Sequence, residues 1–219
     1  MSNSSLAARL RLYVLTDARA ARGRALVDLV AAALAGGATA IQLREKVLSA
    51  RAQVELGREL RRLTREAGAL LIVNDRVDLA HAVDADGVHL GQDDLPARAA
   101  RAILGDGAIV GGSAGNADEL ARSLAAGVDY LGVGPMFPTP SKADAGPAIG
   151  PAGLAAIRRA TDLPIVGIGG IDEANVGPVI AAGADGAAVI SAVIGAEDVR
   201  SAARRIRSAV ETALAGRTQ

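Results

Sequence analysis

The sequence predicts an α/β protein, a closed (β/α)8 TIM barrel built from one domain, and three observations carry that reading. Short apolar runs rich in β-branched residues alternate with longer Ala-, Leu- and Arg-rich segments of helical periodicity, the pattern of repeated βα units on a parallel sheet. Eight such pairs fit into the 219 residues, about 27 residues per unit, a spacing suited to an eightfold barrel. A weak repeat precedes every second strand: AGGATA at 35–40, VDADG at 83–87, AGVDY at 126–130 and AGADG at 182–186. In these fragments a Gly or small residue ends a helix and turns the chain back into the sheet.

In chain order, the apolar runs place strands at 12–16, 40–43, 70–74, 87–90, 109–112, 130–133, 164–167 and 186–190. The segments between them place helices at 24–36, 49–67, 77–83, 96–104, 117–126, 151–160, 175–182 and 198–214. Residues 1–11 have neither period and are expected to be a flexible lead-in to a barrel domain spanning 12–219. No Pro/Ser-rich linker or like-charge block divides the chain. An open doubly wound sheet is the rival architecture, and it too gathers ligands at the carboxyl ends of its strands.

Composition removes several function classes. Lys plus Arg and Asp plus Glu balance at 24 each, which argues against general binding of a phosphate backbone. Tyr13, Tyr130 and Phe137 are the only aromatic side chains, too few for a stacking platform, so no nucleic-acid partner is expected. Without Cys there is no disulfide framework, thiolate metal site or cysteine nucleophile, which suits a cytoplasmic protein. No run approaches a membrane span, and the start of the chain has no apolar secretory core. The Ala- and Leu-rich outer helices leave surface for a homo-oligomer.

The unusual polar residues lie just after the strands, where this fold builds its sites. After the second strand, Gln42, Arg44 and Lys46 alternate along an extended backbone and are expected to converge as a polyanion clamp. Asp75, after the third strand, and Asp93, after the fourth, suit one shared Mg²⁺, a hard cation that takes one or two carboxylates and completes its shell with water and phosphate oxygens. Asp94 reads as a cap for the helix that opens at Pro96, and His89 as a hydrogen-bonded structural residue. Ser113 ends the fifth strand with a small hydroxyl beside bare backbone. The long Pro-rich loop after the sixth strand offers Thr139, Ser141 and Lys142. Gly169-Gly170 and Ile190-Ser191, after strands seven and eight, occupy the usual phosphate pocket of such barrels. Two anion sites, one cation-rich and one made of backbone and hydroxyls, suggest that a diphosphate is joined to a monophosphate.

An ordered set of motifs resembles the thiamine phosphate synthase family over roughly residues 12–205: LYVLTD at 12–17, QLREK at 42–46, VNDR at 73–76, GVHLGQDD at 87–94, GPMFPTPSK at 134–142 and VGIGGI at 166–171. The resemblance implies small-molecule substrates, with Gln42, Arg44, Lys46, Asn74, Ser113 and Lys142 holding a pyrimidine diphosphate and Asp75 and Asp93 holding Mg²⁺. Leu43 and Glu45 enter the same substrate-binding run. It implies that Thr139, Pro140, Ser141, Gly170, Ile190 and Ser191 hold a thiazole phosphate, and that Arg44, Lys46, Lys142 and Ser113 carry the catalysis. The chain departs from the family pattern twice: Ser141 stands where Thr is usual before the loop Lys, and Ser113-Ala114-Gly115-Asn116 has no His. A tautomerase acting on the thiazole phosphate alone is the runner-up enzyme, and a silent phosphate-binding protein is the reading from another class.

Overall fold

The computed structural model describes residues 2–45, 47–139 and 146–217. Going along the chain, they form α1 (Asn3–Arg9), β1 (Leu12–Leu15), α2 (Ala18–Ala21), α3 (Leu26–Ala35), β2 (Ala40–Leu43), α4 (Ala50–Glu66), β3 (Leu70–Asn74) and α5 (Val77–Ala82). Next come β4 (Gly87–Leu90), α6 (Ala97–Leu104), β5 (Ile109–Ala114), α7 (Ala117–Ala126), β6 (Tyr130–Val133) and α8 (Gly150–Arg158). The last elements are β7 (Ile165–Ile168), α9 (Val176–Ala181), β8 (Gly186–Val189), α10 (Ser191–Ile194) and α11 (Val199–Arg217). Each strand pairs in parallel with the next, and β8 returns to β1, so the sheet closes into the expected barrel and the open-sheet alternative falls.

Alternation along each strand divides the core in two. Leu12, Val14, Ile41, Leu43, Leu71 and Val73 point outward and bury beneath the helices. Tyr13, Ala40, Leu70, Ile72, Tyr130 and Val166 point inward and fill the barrel. Both faces are covered, which is why the strands read as nearly continuous apolar runs.

The repeat found in the sequence has a structural cause. Thr39, Asp86, Asp129 and Asp185 stand one residue before β2, β4, β6 and β8, and each exchanges a pair of hydrogen bonds with one residue of the preceding strand. The side-chain oxygens accept from the amides of Leu12, Leu71, Val110 and Ile165 at 3.1, 2.8, 2.7 and 2.9 Å. The amides of the same four bracket residues donate back to the carbonyls of those partners. Each Asp is also paired with an Arg of the helix before the odd strand: Arg61, Arg101 and Arg158, at 2.7, 2.8 and 3.5 Å. The brackets pin odd and even strands in register at the end of the barrel opposite the site.

The described N-terminal residues are folded onto the barrel, unlike the flexible lead-in expected for 1–11. Residues 3–9 form α1, capped by the Ser2 hydroxyl, and Leu6 and Leu10 bury with Tyr13, Leu70 and Val166 in the interior cluster. The Leu10 carbonyl abuts Gly186 so closely that a Cβ there would overlap it at 1.9 Å. The N-terminal segment therefore floors the barrel. Leu10→Ala, which opens a cavity at a fully buried position, is expected to cost about 2–5 kcal/mol of unfolding free energy in a denaturant titration. A change under about 0.5 kcal/mol, the range of surface substitutions, would show that the floor adds nothing.

Candidate active site

A line of polar side chains runs across the barrel interior, below the rim formed by the carboxyl ends of the strands. Gln42, Tyr13, Tyr130, His89 and Ser113 come from β2, β1, β6, β4 and β5, and all sit at inward-facing positions. Gln42 Nε2 donates to the Tyr13 hydroxyl at 2.8 Å, and the two tyrosine hydroxyls are 3.0 Å apart. Tyr130 Oη lies 3.0 Å from His89 Nδ1, and His89 Nε2 lies 3.0 Å from Ser113 Oγ. Two glycines make the line sterically feasible. A Cβ on Gly111 would meet the Tyr130 ring at 2.2 Å, and one on Gly132 would meet the His89 ring at 2.9 Å. Burial pushes both tyrosine phenols far above the ordinary range, so each remains a neutral hydroxyl with a single proton.

Arg44 follows β2 and is fixed from two sides. Its amide donates to Thr16 Oγ1 at 2.9 Å, and that hydroxyl donates in turn to the Arg44 carbonyl at 3.1 Å. Its guanidinium pairs with Asp17 at 2.9 Å, with both side chains about 15% exposed. The other oxygen of Asp17 caps α2 through the Ala20 amide. Arg44 is thus held at the rim by the loop after β1, while Gln42 lies two residues deeper in the barrel.

Leu43 does not join them. The alternation that turns Gln42 inward turns Leu43 outward, where it is 1% exposed and packs toward Gly57 of α4. Its side chain is therefore removed from the substrate-facing set. Glu45 is half-buried, and its carboxylate accepts from the Val47 amide at 3.1 Å within its own loop. Lys46, Pro140, Ser141 and Lys142 lie outside the described residues.

At the end of β3, Asn74 is in register with His89, and Asp75 takes a left-handed conformation with φ 61°. A non-glycine residue there is uncommon and is held by its surroundings, here by the Asp75 amide donating to the His89 carbonyl at 2.9 Å. Asp93 is exposed in the loop after β4. Asp94 turns back to accept from the Gly91 amide at 2.6 Å, while α6 has no side-chain cap, so Asp94 shapes the loop rather than capping the helix. Gln92 ties that loop to its neighbours, donating to the Ser113 carbonyl at 2.7 Å and accepting from Arg122 at 2.8 Å. Among the described residues no three His, Asp or Glu side chains gather as a metal cage. Two hard carboxylates on adjacent strand ends still match the donor set Mg²⁺ takes when a substrate's phosphate oxygens complete its shell.

The other side of the rim is backbone. The loop after β6 runs along the end of β7, with the Met136 amide donating to the Ile168 carbonyl and the Phe137 amide to the Gly169 carbonyl. Gly169 and Gly170 have φ of 99° and 65°, and a Cβ on either would collide with that loop at 2.8 Å. Thr139 is half-buried at the described end of this loop. Ile190 packs against the interior cluster, and Ser191 opens α10 at the exposed rim. Arg24 braces the far end of α10 through the carbonyls of Ile194 and Ala196. Asn116, in the segment without the family His, is the N-cap of α7 and bonds Glu119, which explains its presence structurally.

Sequence reasoning missed Tyr13, Tyr130, Thr16, Asp17, Gln92 and Arg24, and gave His89 only a structural role. The signal available for the first two was the pair of strand glycines, Gly111 and Gly132, which in a barrel interior mark where a large neighbour needs room.

The family described as thiamine monophosphate synthase matches residues 12–193. A thiamine-phosphate synthase of Moorella thermoacetica is 60% identical over 202 residues, covering 92% of this chain and 96% of that protein. One from a Roseiflexus species is 55% identical over 203 residues, covering 93% and 86%. The solved thiamine phosphate pyrophosphorylase of Pyrococcus furiosus superimposes with a TM-score of 0.88 at 46% identity, covering 95% of this chain and 99% of that one. With the barrel, its polar strand ends and these likenesses in agreement, the chain belongs to the thiamine monophosphate synthase family.

Proposed function

We propose that this protein catalyses the family's condensation: an amino-substituted hydroxymethylpyrimidine diphosphate and a hydroxyethylthiazole phosphate, or its carboxylated form, give thiamine phosphate and diphosphate. The observation that carries the reading is the interior polar line from Gln42 to Ser113 beside the braced Arg44, in a chain that matches the family from residue 12 to residue 193. The interior line suits a flat polar heterocycle, and the guanidinium above it suits a diphosphate.

In the reaction the bond between the methylene carbon and the bridging oxygen breaks, and its electron pair leaves with the diphosphate. The amino-pyrimidine spreads the positive charge left on carbon, and the lone pair of the thiazole nitrogen forms the new bond to that carbon. No protein nucleophile is needed, consistent with a chain without Cys. Arg44, assisted by Lys46 and Lys142 in our reading, meets charge that grows as the diphosphate departs, so its contribution increases toward the transition state. Asn74 and Ser113 orient the pyrimidine diphosphate, and Asp75 with Asp93 would hold Mg²⁺. When bound, the ion supplies charge neutralisation to the leaving group. Thr139, Pro140, Ser141, Gly170, Ile190 and Ser191 are assigned to the thiazole phosphate. Holding two partners in line removes translational entropy, a source of about 7–11 kcal/mol in well-oriented systems. We place the protein in the cytoplasm, consistent with the absence of Cys; among the described residues no helix is long and apolar enough to cross a membrane.

The test is thiamine phosphate formation by the purified protein with both substrates and Mg²⁺, each omitted in turn. Product that requires all three supports the reading. Tight diphosphate binding without product from a folded protein would replace it with a silent binder.

A further inference from the structure

The line from Gln42 to Ser113 has a direction that proton counting reveals. Each tyrosine hydroxyl has one proton to give. With Gln42 Nε2 facing the Tyr13 hydroxyl, the Tyr13 oxygen accepts there, and a line in which every hydroxyl bonds along its length sends the Tyr13 proton to Tyr130. In that arrangement Tyr130 donates to His89 Nδ1, which is then the unprotonated ring nitrogen. The remaining ring proton sits on Nε2 and points to Ser113 Oγ, leaving the serine proton to be donated elsewhere. At the other end Gln42 Oε1 makes no hydrogen bond among the described residues. The line therefore presents an acceptor at Gln42 and a donor at Ser113.

We propose that Tyr13 and Tyr130 are positioning residues that set substrate specificity: by locking the polarity of this hydrogen-bond line, they make the barrel select an amino-pyrimidine over its oxo counterpart. The proposal rests on the pyrimidine site assigned above. An amino group donates to Gln42 Oε1, whereas an oxo group confronts that oxygen with a second acceptor. Turning the Gln42 amide to relieve the clash would put Oε1 against Tyr13. The tyrosine protons would then have to reverse, His89 would have to move its proton to Nδ1, and the Ser113 proton would be drawn away from the ligand. One wrong group is thereby charged with rearranging five residues, and leaving any step incomplete strands a buried polar atom.

Tyr130→Phe cuts the line at its centre while keeping the ring in the notch left by Gly111, and Tyr13→Phe frees the Gln42 amide directly. The probes are the non-cleavable methylene-bridged analogues of the amino- and oxo-pyrimidinylmethyl diphosphates, with inhibition or binding constants measured on the full chain. Wild type is expected to prefer the amino analogue by at least about a hundredfold, and either variant by less than about tenfold. A preference unchanged within about twofold in both variants overturns the proposal. A second readout needs no substrate. The chain has only two histidines, so the imidazole ¹⁵N spectrum of the free protein is assigned with a His81→Gln variant, changing an exposed residue of α5. His89 is expected as the Nε2–H tautomer, giving way to a mixture in Tyr130→Phe. An Nδ1–H tautomer in wild type refutes the polarity. Because it is read without ligand, the tautomer decides the point whether or not the protein turns substrates over, and so separates this proposal from the assignment of the reaction.

Discussion

Arg44→Ala is expected to lower kcat/KM for the pyrimidine diphosphate by about 10²–10³-fold, the loss seen when one preorganised donor to a developing anion is removed. Asp17 and the Thr16 hydroxyl fix the arm that delivers the guanidinium, so the donor is in place before the diphosphate arrives and pays no reorganisation during bond breaking. The loss should fall on kcat as well as KM, because charge on the leaving group increases as the bond opens. Arg44→Lys keeps a charge but loses the bidentate fork, and should recover only part of the rate. Arg44→Ala also leaves Asp17 without its cation, so thermal unfolding should accompany the kinetics. Wild-type kcat in a folded Arg44→Ala protein would remove Arg44 from the chemistry.

Asp75→Asn is the second large effect, with a predicted loss of at least about 10²-fold in turnover, together with a raised Mg²⁺ requirement. The choice of Asn is deliberate. Asp75 has φ 61°, a conformation Asn tolerates better than most residues, so the substitution removes charge and leaves the backbone as it is. Asp75→Ala would add strain on the order of 1–2 kcal/mol and blur the result. A Mg²⁺ titration that superimposes on wild type, at wild-type rate, would show that Asp75 neither holds the ion nor shapes its site.

Much of this was legible in the chain because barrel strands are buried on both faces and announce themselves as apolar runs. The helices α3 to α9 and α11 follow from their periodicity, and the recurring residue before the even strands proved to be a repeated bracket at Thr39, Asp86, Asp129 and Asp185. The elements α2 and α10 are four residues each, too short to show a period. The helix α1 escaped because its burial comes from Leu6 and Leu10 meeting the barrel floor, a tertiary fact with no local signal. The Leu43 side chain turns outward, as strand alternation beside Gln42 already requires. Tyr13 and Tyr130 are 117 positions apart, and nothing local in the sequence links them. Only closure of the sheet, with a glycine cleared opposite the Tyr130 ring, makes them neighbours.

The central claim is that the carbon–oxygen bond of the diphosphate breaks and the carbon is handed to the thiazole. The measurement that tests it most directly uses pyrimidine diphosphate labelled with ¹⁸O in the bridging position, reacted with thiazole phosphate and Mg²⁺ and followed by mass spectrometry. Carbon–oxygen cleavage sends all the label out in diphosphate, one diphosphate for each thiamine phosphate formed. Label retained in a pyrimidine alcohol, with phosphorus–oxygen cleavage and no thiamine phosphate, would contradict it.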